Sequence, residues 1–309
     1  MPQPEPTLPC VLVIPAHNEE RAIARALDAV HAGALPDGFA WRAWVVVDDG
    51  SVDGTVRVVR EWAARHPEIP LRLQSDGARL GKTARLEQVH RALVSGGDLD
   101  AVCVGLDADS VPDRGAVAAL VAPFAARPEL AMSSGLDLPA GRRFGTRASV
   151  FQRTVTARLA RSCGAAVPRA VGRLYAYRVA ALRDFHWRDG SMGDDVQMAA
   201  WVQGRGLPFL SVWDAVVRMQ PAASWRDFYR QTYRARVAGR VLAAMGVAAP
   251  RPAAARRLRA FARTAAADPL GAGAYLVARA VAAGMHRVRP AAFRAAWEIS
   301  PSTKTSVNA

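Results

Sequence analysis

The chain has 309 residues, 51% of them hydrophobic and 22% charged, which supports a sizeable core and excludes disorder over the whole length. Its formal net charge of +14 is unevenly placed. Residues 226–309 hold 15 Lys+Arg against 3 Asp+Glu, while residues 1–225 are nearly balanced. That asymmetry argues against a basic groove over the whole protein and for a distinct cationic surface.

The N-terminus, MPQPEPTLPC, lacks a basic start followed by an apolar stretch, so no cleavable secretion signal is expected. Cys10, Cys103 and Cys163 are widely separated, with no CxxC and no zinc spacing, and read as reduced thiols of a cytoplasmic protein. Over the first 135 residues, apolar runs alternate with helical patterns. Leu8–Ile14, Trp44–Val47, Ile69–Leu73 and Ala101–Leu106 suit strands buried on both faces. Glu19–Ala32, with Asn18 as N-cap, Asp53–Arg65, Thr83–Val94 and Ala116–Phe124 read as helices. The order βαβαβαβ gives an α/β fold with a mostly parallel sheet flanked by helices and joined by right-handed crossovers.

From Arg142 to Arg178 the alternation fades into an Arg-rich, mostly helical stretch. A helix is expected at Asp194–Gln203, a strand at Phe209–Val217 and a long basic helix at Trp225–Met245, with Pro250 and Pro252 marking a boundary before a helical tail. The divisions expected are a catalytic domain over 1–225, with halves 8–135 and 136–225, and a basic helical region over 226–309. The apolar stretch around Leu270–Met285 contains Arg279 and is short for a membrane span, so it is expected to be interfacial or packed.

In a parallel α/β sheet, ligands bind beyond the carboxyl ends of the strands, and the acids cluster there. Asp107-Ala108-Asp109 follows the fourth strand. Mg²⁺ and Mn²⁺ take oxygen ligands, typically one or two carboxylates plus phosphate oxygens, and a diphosphate leaving group needs such a cation. The bare DxD pattern is common, and a loop acid pair is its bland alternative. Asp48-Asp49 follows the second strand; Ser51 or Asp53 would cap the next helix, and one of the two acids could reach a base or ribose. Asp194-Asp195 by itself suits the acidic first turn of a helix.

Together, Val13-Ile-Pro-Ala-His-Asn-Glu-Glu20, Val45-Val-Val-Asp-Asp-Gly-Ser51 and Leu106-Asp-Ala-Asp109 resemble the opening motifs of family-2 glycosyltransferases. Gly172-Arg-Leu-Tyr-Ala-Tyr-Arg178, Gly193-Asp-Asp195 and Gln231-Thr-Tyr-Arg234 are similar to later motifs of that family, in the same order. The resemblance implies a GT-A fold, a nucleoside-diphosphate-sugar donor, a divalent cation (Mg²⁺ or Mn²⁺) and, in most members, inversion. It implies that Pro15, Ala16 and Glu19 lie near the nucleotide and that Asp49 meets the base or ribose. Asp107 would face the nucleotide, Asp109 the metal, and Asp195 would be the general base, its pKa raised by Asp194. Asp194, Gln231 and Arg234 would serve diphosphate or acceptor; otherwise Gln231 and Arg234 are a solvated helix face.

Three departures stand out. Ala235 replaces a Trp, which weakens a processive-synthase reading; Asp194 replaces a Glu; and Arg85 and Glu87 follow Gly81-Lys82 where the family has a small residue and Asn. Gly77-Ala-Arg-Leu-Gly-Lys-Thr83 also resembles a P-loop, but it has three residues rather than four between Gly and Gly-Lys. The glycosyltransferase resemblance still places Lys82 near the donor diphosphate as an expectation. A nucleotidyltransferase is the other alternative, though it would carry a Gly-rich loop after the first strand, where this chain has Pro15-Ala-His-Asn18. In the tail, Arg256, Arg257, Arg259 and Arg263 among alanines, Leu258 and Phe261 suit an anionic membrane surface better than nucleic acid, or else a solvated helical cap. A carbohydrate or lipid-linked acceptor, at the inner face of a cell membrane, is the matching expectation.

Overall fold

The computed structural model describes residues 7–140, 146–163, 170–187, 193–232 and 252–288. The expected alternation is present. Strands β1 (Leu8–Ala16), β2 (Phe39–Asp48), β3 (Leu71–Gln74) and β4 (Val102–Leu106) are separated by α1 (Ile23–His31), α2 (Thr55–Arg65) and α3 (Lys82–Ser95). These strands lie side by side in the order β3-β2-β1-β4, all parallel.

The chain then adds β5 (Ser110–Pro112), α4 (Ala116–Val121), α5 (Pro123–Ala126), β6 (Met132–Pro139), α6 (Arg147–Cys163), β7 (Leu174–Arg178), α7 (Asp194–Gly204) and β8 (Phe209–Met219). A helix over residues 225–232 (α8), α9 (Ala254–Ala267) and α10 (Pro269–Val288) follow. The sheet continues as β7-β6-β8-β5. Strand β7 runs antiparallel to both β4 and β6, while β6 and β8 are parallel.

Side-chain alternation gives the sheet two apolar faces. Leu12 and Ile14 of β1 join Trp44 and Val46 of β2 beneath α1, α2 and α4. Val11 and Val13 point the other way, with Val45 and Val47, against Leu86 and Val89 of α3 and Met198 of α7. Strands buried on both sides are why these runs read as continuously apolar.

Several local expectations shift. Helix α1 begins at Ile23 rather than Glu19, because Asn18 does not cap it. Asn18 has φ 55°; its amide N–H donates to Ser51 Oγ and its Oδ1 accepts from the Val52 N–H, so it ties the loop after β1 to the loop after β2. Asp53 does serve the next helix, accepting from the Thr55 N–H at 3.0 Å. The fourth helix is broken at Pro123, whose ring removes a backbone donor. Among the described residues of the Arg-rich stretch, the helix is α6, and the stretch ends in strand β7. Of the expected helix at Trp225–Met245, residues 225–232 are helical and the remainder lies outside the described residues. No helix among the described residues is long and apolar enough to cross a membrane. Helix α10 instead buries Ala272, Ala278 and Ala282.

One close approach fixes the centre of the sheet. Gly105 of β4 pairs with Tyr175 of β7, and a Cβ on Gly105 would lie 2.2 Å from the buried Tyr175 ring. Gly105→Ala is expected to destabilise the fold by about 2 kcal/mol through overpacking. Chemical denaturation of both proteins checks this; an unchanged midpoint would show that the ring moves aside at no cost.

Candidate active site

The carboxyl ends of β1, β2 and β4, the start of α3, the entry to β7 and the start of α7 bring most of the expected residues to one end of the sheet. Ala16, the last residue of β1, accepts the Asp49 N–H at 2.8 Å, and Pro15 precedes it. Glu19 is buried, and its backbone N–H donates to Thr55 Oγ1 at 2.7 Å. Asp48 accepts from the Ser51 N–H and from Ser75 Oγ.

Asp49 is buried and holds the loop before α3. Its Oδ1 accepts from the N–H groups of Leu80 and Gly81 at 2.8 and 2.9 Å and from Arg85 Nε at 3.3 Å. Its Oδ2 lies 3.5 Å from Arg79 Nε. Gly50, at φ 66°, packs so closely on the Ala78 carbonyl that a Cβ would sit 2.9 Å from it. The segment that resembles a P-loop thus turns two of its amides onto the protein's own carboxylate. Arg85 and Glu87 have structural partners: Arg85 also binds Asp76, holding that carboxyl well below its usual range, and Glu87 accepts from the Trp187 N–H at 2.9 Å.

Lys82, the first residue of α3, sits between two acids. Its Nζ lies 2.7 Å from Asp107 Oδ1 and 3.0 Å from Asp194 Oδ2. Burial works against the ammonium charge, but the two carboxylates outweigh it and hold Lys82 firmly protonated. Arg173, just before β7, lies 2.8 Å from Asp109 Oδ1 and 4.0 Å from Asp107 Oδ2, and donates to Ser110 Oγ. Sequence reasoning assigned Arg173 no role. The signal lay in the quoted segment Gly172–Arg178, but its use required the antiparallel pairing of β7 with β4, which sets Leu174 opposite Leu106.

Helix α7 starts at Gly193, in the left-handed region at φ 81°, and carries Asp194 and Asp195 in its first turn. Burial raises the Asp194 carboxyl, opposed by Lys82. Burial, then the neighbouring Asp194, push the Asp195 carboxyl up to about 6. Gly172 lies against Asp195, where a Cβ would stand 3.0 Å from Cγ. Gln231 is half-buried on α8, whose Asp227 N–H is capped by Ser224 Oγ at 3.1 Å. Arg234 lies outside the described residues.

Asp107 and Asp109 fit a hard cation of the Mg²⁺ or Mn²⁺ type. They offer carboxylate oxygens only, one bridged to Lys82 and the other to Arg173. Among the described residues, a trio of His, Cys, Asp or Glu with mutually close ligand atoms occurs only at His31, His66 and Glu68. The DxD pair is therefore an open half-site, suited to an ion whose remaining ligands come with a phosphate.

Removing Lys82 would take away the cation that stands between Asp107 and Asp194, with Arg173 4.0 Å from the far oxygen of Asp107. Lys82→Met is expected to cost about 3 kcal/mol at neutral pH. The loss should shrink as pH falls, because acids whose folded pKa is raised stabilise the fold on protonation. Thermal melts of both proteins between neutral and mildly acidic pH measure this; a pH-independent difference would contradict the counter-charge role.

Comparison with known proteins follows the same outline. The model of a family described as glycosyltransferase like family 2 matches residues 6–238. A dolichyl-phosphate β-glucosyltransferase of Trichomonas vaginalis is 36% identical over 81 residues, 24% of this chain. The match spans only 23% of that protein's length. A mannosyltransferase from Pyrobaculum calidifontis, solved with GDP-Man and Mn²⁺, superposes with a TM-score of 0.59 at 24% identity, covering 96% of this chain and 79% of that one. Residues 1–349 of S. aureus TarS, solved with UDP-GlcNAc, give a TM-score of 0.51 at 16% identity, covering 84% and 73%. At these identities the structures establish likeness of fold, and the family match extends over the strands and helices that carry the acids. With its mixed, mainly parallel sheet and its DxD at the end of β4, the chain belongs to glycosyltransferase family 2 and has the GT-A fold.

Proposed function

We propose that this protein transfers a sugar from a nucleoside-diphosphate sugar to an acceptor hydroxyl, with inversion and assisted by Mg²⁺ or Mn²⁺. The observation that carries the reading is Asp195, a carboxyl raised to about 6 within the same charged cluster as Asp107. A general base works best with a pKa near the operating pH, and a carboxyl near 6 is mostly ionised at neutrality while remaining a better base than an ordinary aspartate.

In this mechanism Asp195 takes the proton of the acceptor hydroxyl as that oxygen attacks the anomeric carbon. The bond from that carbon to the diphosphate oxygen breaks on the opposite side. Asp107 and Asp109 would hold the cation, which when bound would neutralise charge gathering on the departing diphosphate. Lys82 and Arg173 orient these carboxylates through ion pairs. Pro15, Ala16, Glu19 and Asp49, with the loop Asp49 holds, form the nucleoside end. Gln231 and Arg234 serve the diphosphate or acceptor. Asp194 is a positioning residue, anchored on Lys82. The acceptor is a carbohydrate or lipid-linked hydroxyl, and the enzyme works in the cytoplasm, against the inner face of a cell membrane.

Thermal shift with UDP, GDP, dTDP and ATP, each with and without Mn²⁺, tests the donor site. One diphosphate is expected to raise the melting temperature in a metal-dependent way that Asp109→Ala abolishes. Stabilisation by ATP alone would favour an ATP-binding protein instead.

Asp195→Asn should keep that thermal shift but lower kcat by roughly 10²–10⁴-fold. In the wild type, kcat/KM should fall as pH drops through about 6, because protonation removes the base. Asp194→Asn, which takes away the neighbouring negative charge, should move this limb to lower pH. A flat profile, or full activity in Asp195→Asn, would exclude Asp195 as the base.

A further inference from the structure

Five of the eight large apolar side chains left exposed among the described residues lie on α9 and α10: Leu258, Leu270, Leu276, Val277 and Val281. Leu258 and Leu270 are 69% and 68% exposed. On α10, Leu270, Val277 and Val281 recur at i, i+7 and i+11, so they share one side of the helix, with the exposed Ala280 beside them. An adjoining side gives Ala278 to Ala148 of α6. Helix α9 exposes Leu258 and Ala262, flanked by exposed Arg259 and Arg263.

Both helices are fixed to the fold. Phe151 of α6 packs at 5.4 Å on Phe261 of α9 and at 5.5 Å on Tyr275 of α10, and Arg256 donates to the Ser162 carbonyl. The exposed apolar side chains are therefore not waiting for α6 to cover them. No described helix can span a bilayer, and an apolar face bordered by arginines has the composition of an interfacial helix.

We propose that α9 and α10 form a docking face for an anionic phospholipid bilayer, with the apolar side chains entering the interface and the arginines meeting lipid phosphates. Charge complementarity selects this occupant over a second copy of the chain. Between Ala254 and Val288 the only acid is Asp268, which already accepts from the Gly271 N–H. A two-fold contact through this face would set arginines against arginines. Phe228 of α8 packs in the same small cluster as Ala278, and Trp225 beside it is exposed. The face is thus joined to the helix that carries Gln231. This inference rests on the glycosyltransferase reading only for its purpose, delivery of a lipid-linked acceptor.

The test is flotation of the full chain with phosphatidylglycerol/phosphatidylcholine vesicles and with phosphatidylcholine alone, at low and high salt. The wild type should float with the anionic vesicles only, and less so as salt rises. Val277→Asp with Val281→Asp should abolish flotation. Arg259→Gln with Arg263→Gln should weaken it about fivefold per charge removed. Both variants should keep the wild-type melting temperature and the shift given by nucleoside diphosphate, so failure here is distinct from failure of the donor reading. No flotation at low salt, or undiminished flotation of the double aspartate variant, overturns the proposal. A dimer by light scattering that the aspartates make monomeric, without flotation, overturns it in favour of a second copy.

Discussion

The arrangement of the site depends on one ammonium group. Lys82 Nζ stands between Asp107 at the end of β4 and Asp194 at the start of α7, joining segments far apart in sequence. Carboxylates leave water only when their charge is answered, and four of them, Asp107, Asp109, Asp194 and Asp195, gather here. Lys82 answers two and Arg173 a third. The ends of the site that would meet donor and acceptor are thereby held in fixed relation by the protein itself, which is the preorganisation that group transfer requires.

Small residues set how closely these charges approach. Gly105 admits the Tyr175 ring, which sits near Asp194 and Asp107 and whose own ionisation is suppressed by burial. Gly172 leaves room for Asp195. Consecutive residues of a helix point about 100° apart, so Asp194 and Asp195 can share one turn and still do different things. Asp194 turns to Lys82, while Asp195 keeps a raised carboxyl over Gly172. A charged anchor beside a carboxyl of raised pKa follows from two adjacent acids, provided one cation is within reach of the first.

The parallel half of the sheet was legible because both of its faces are buried, so β1, β2 and β4 appear as apolar runs with an acid after two of them. The antiparallel half was not. Strand β7 carries Arg173 and Arg178 at its two ends, and nothing local marks it as a strand beside β4 rather than part of a helical stretch. Arg173 was missed for that reason, although its segment had been singled out. Asn18 misled in another way: it has the chemistry of an N-cap, but its left-handed backbone and its bonds to Ser51 and Val52 commit it to joining two loops. Which partner a capable side chain chooses is a tertiary fact. Asp194 and Asp195 were legible as a pair, whereas the cation that divides their roles became visible only once α3 was seen to start against them.

The loop before α3 shows how a departure from a family pattern can be absorbed. Arg85 occupies a position from which a smaller residue would reach neither Asp49 nor Asp76, leaving Asp49 to Arg79. Its guanidinium instead binds both, and Asp49 draws in the Leu80 and Gly81 amides. A backbone nest of this kind is an anion site, and here the anion belongs to the protein. The consequence is opposite to that of a P-loop: amides that would hold a phosphate chain are already engaged, so the loop is stiff before any nucleotide arrives. If this end receives the nucleoside, as proposed above, it meets a surface of Asp49, Arg79 and Arg85 whose ion pairs are already made.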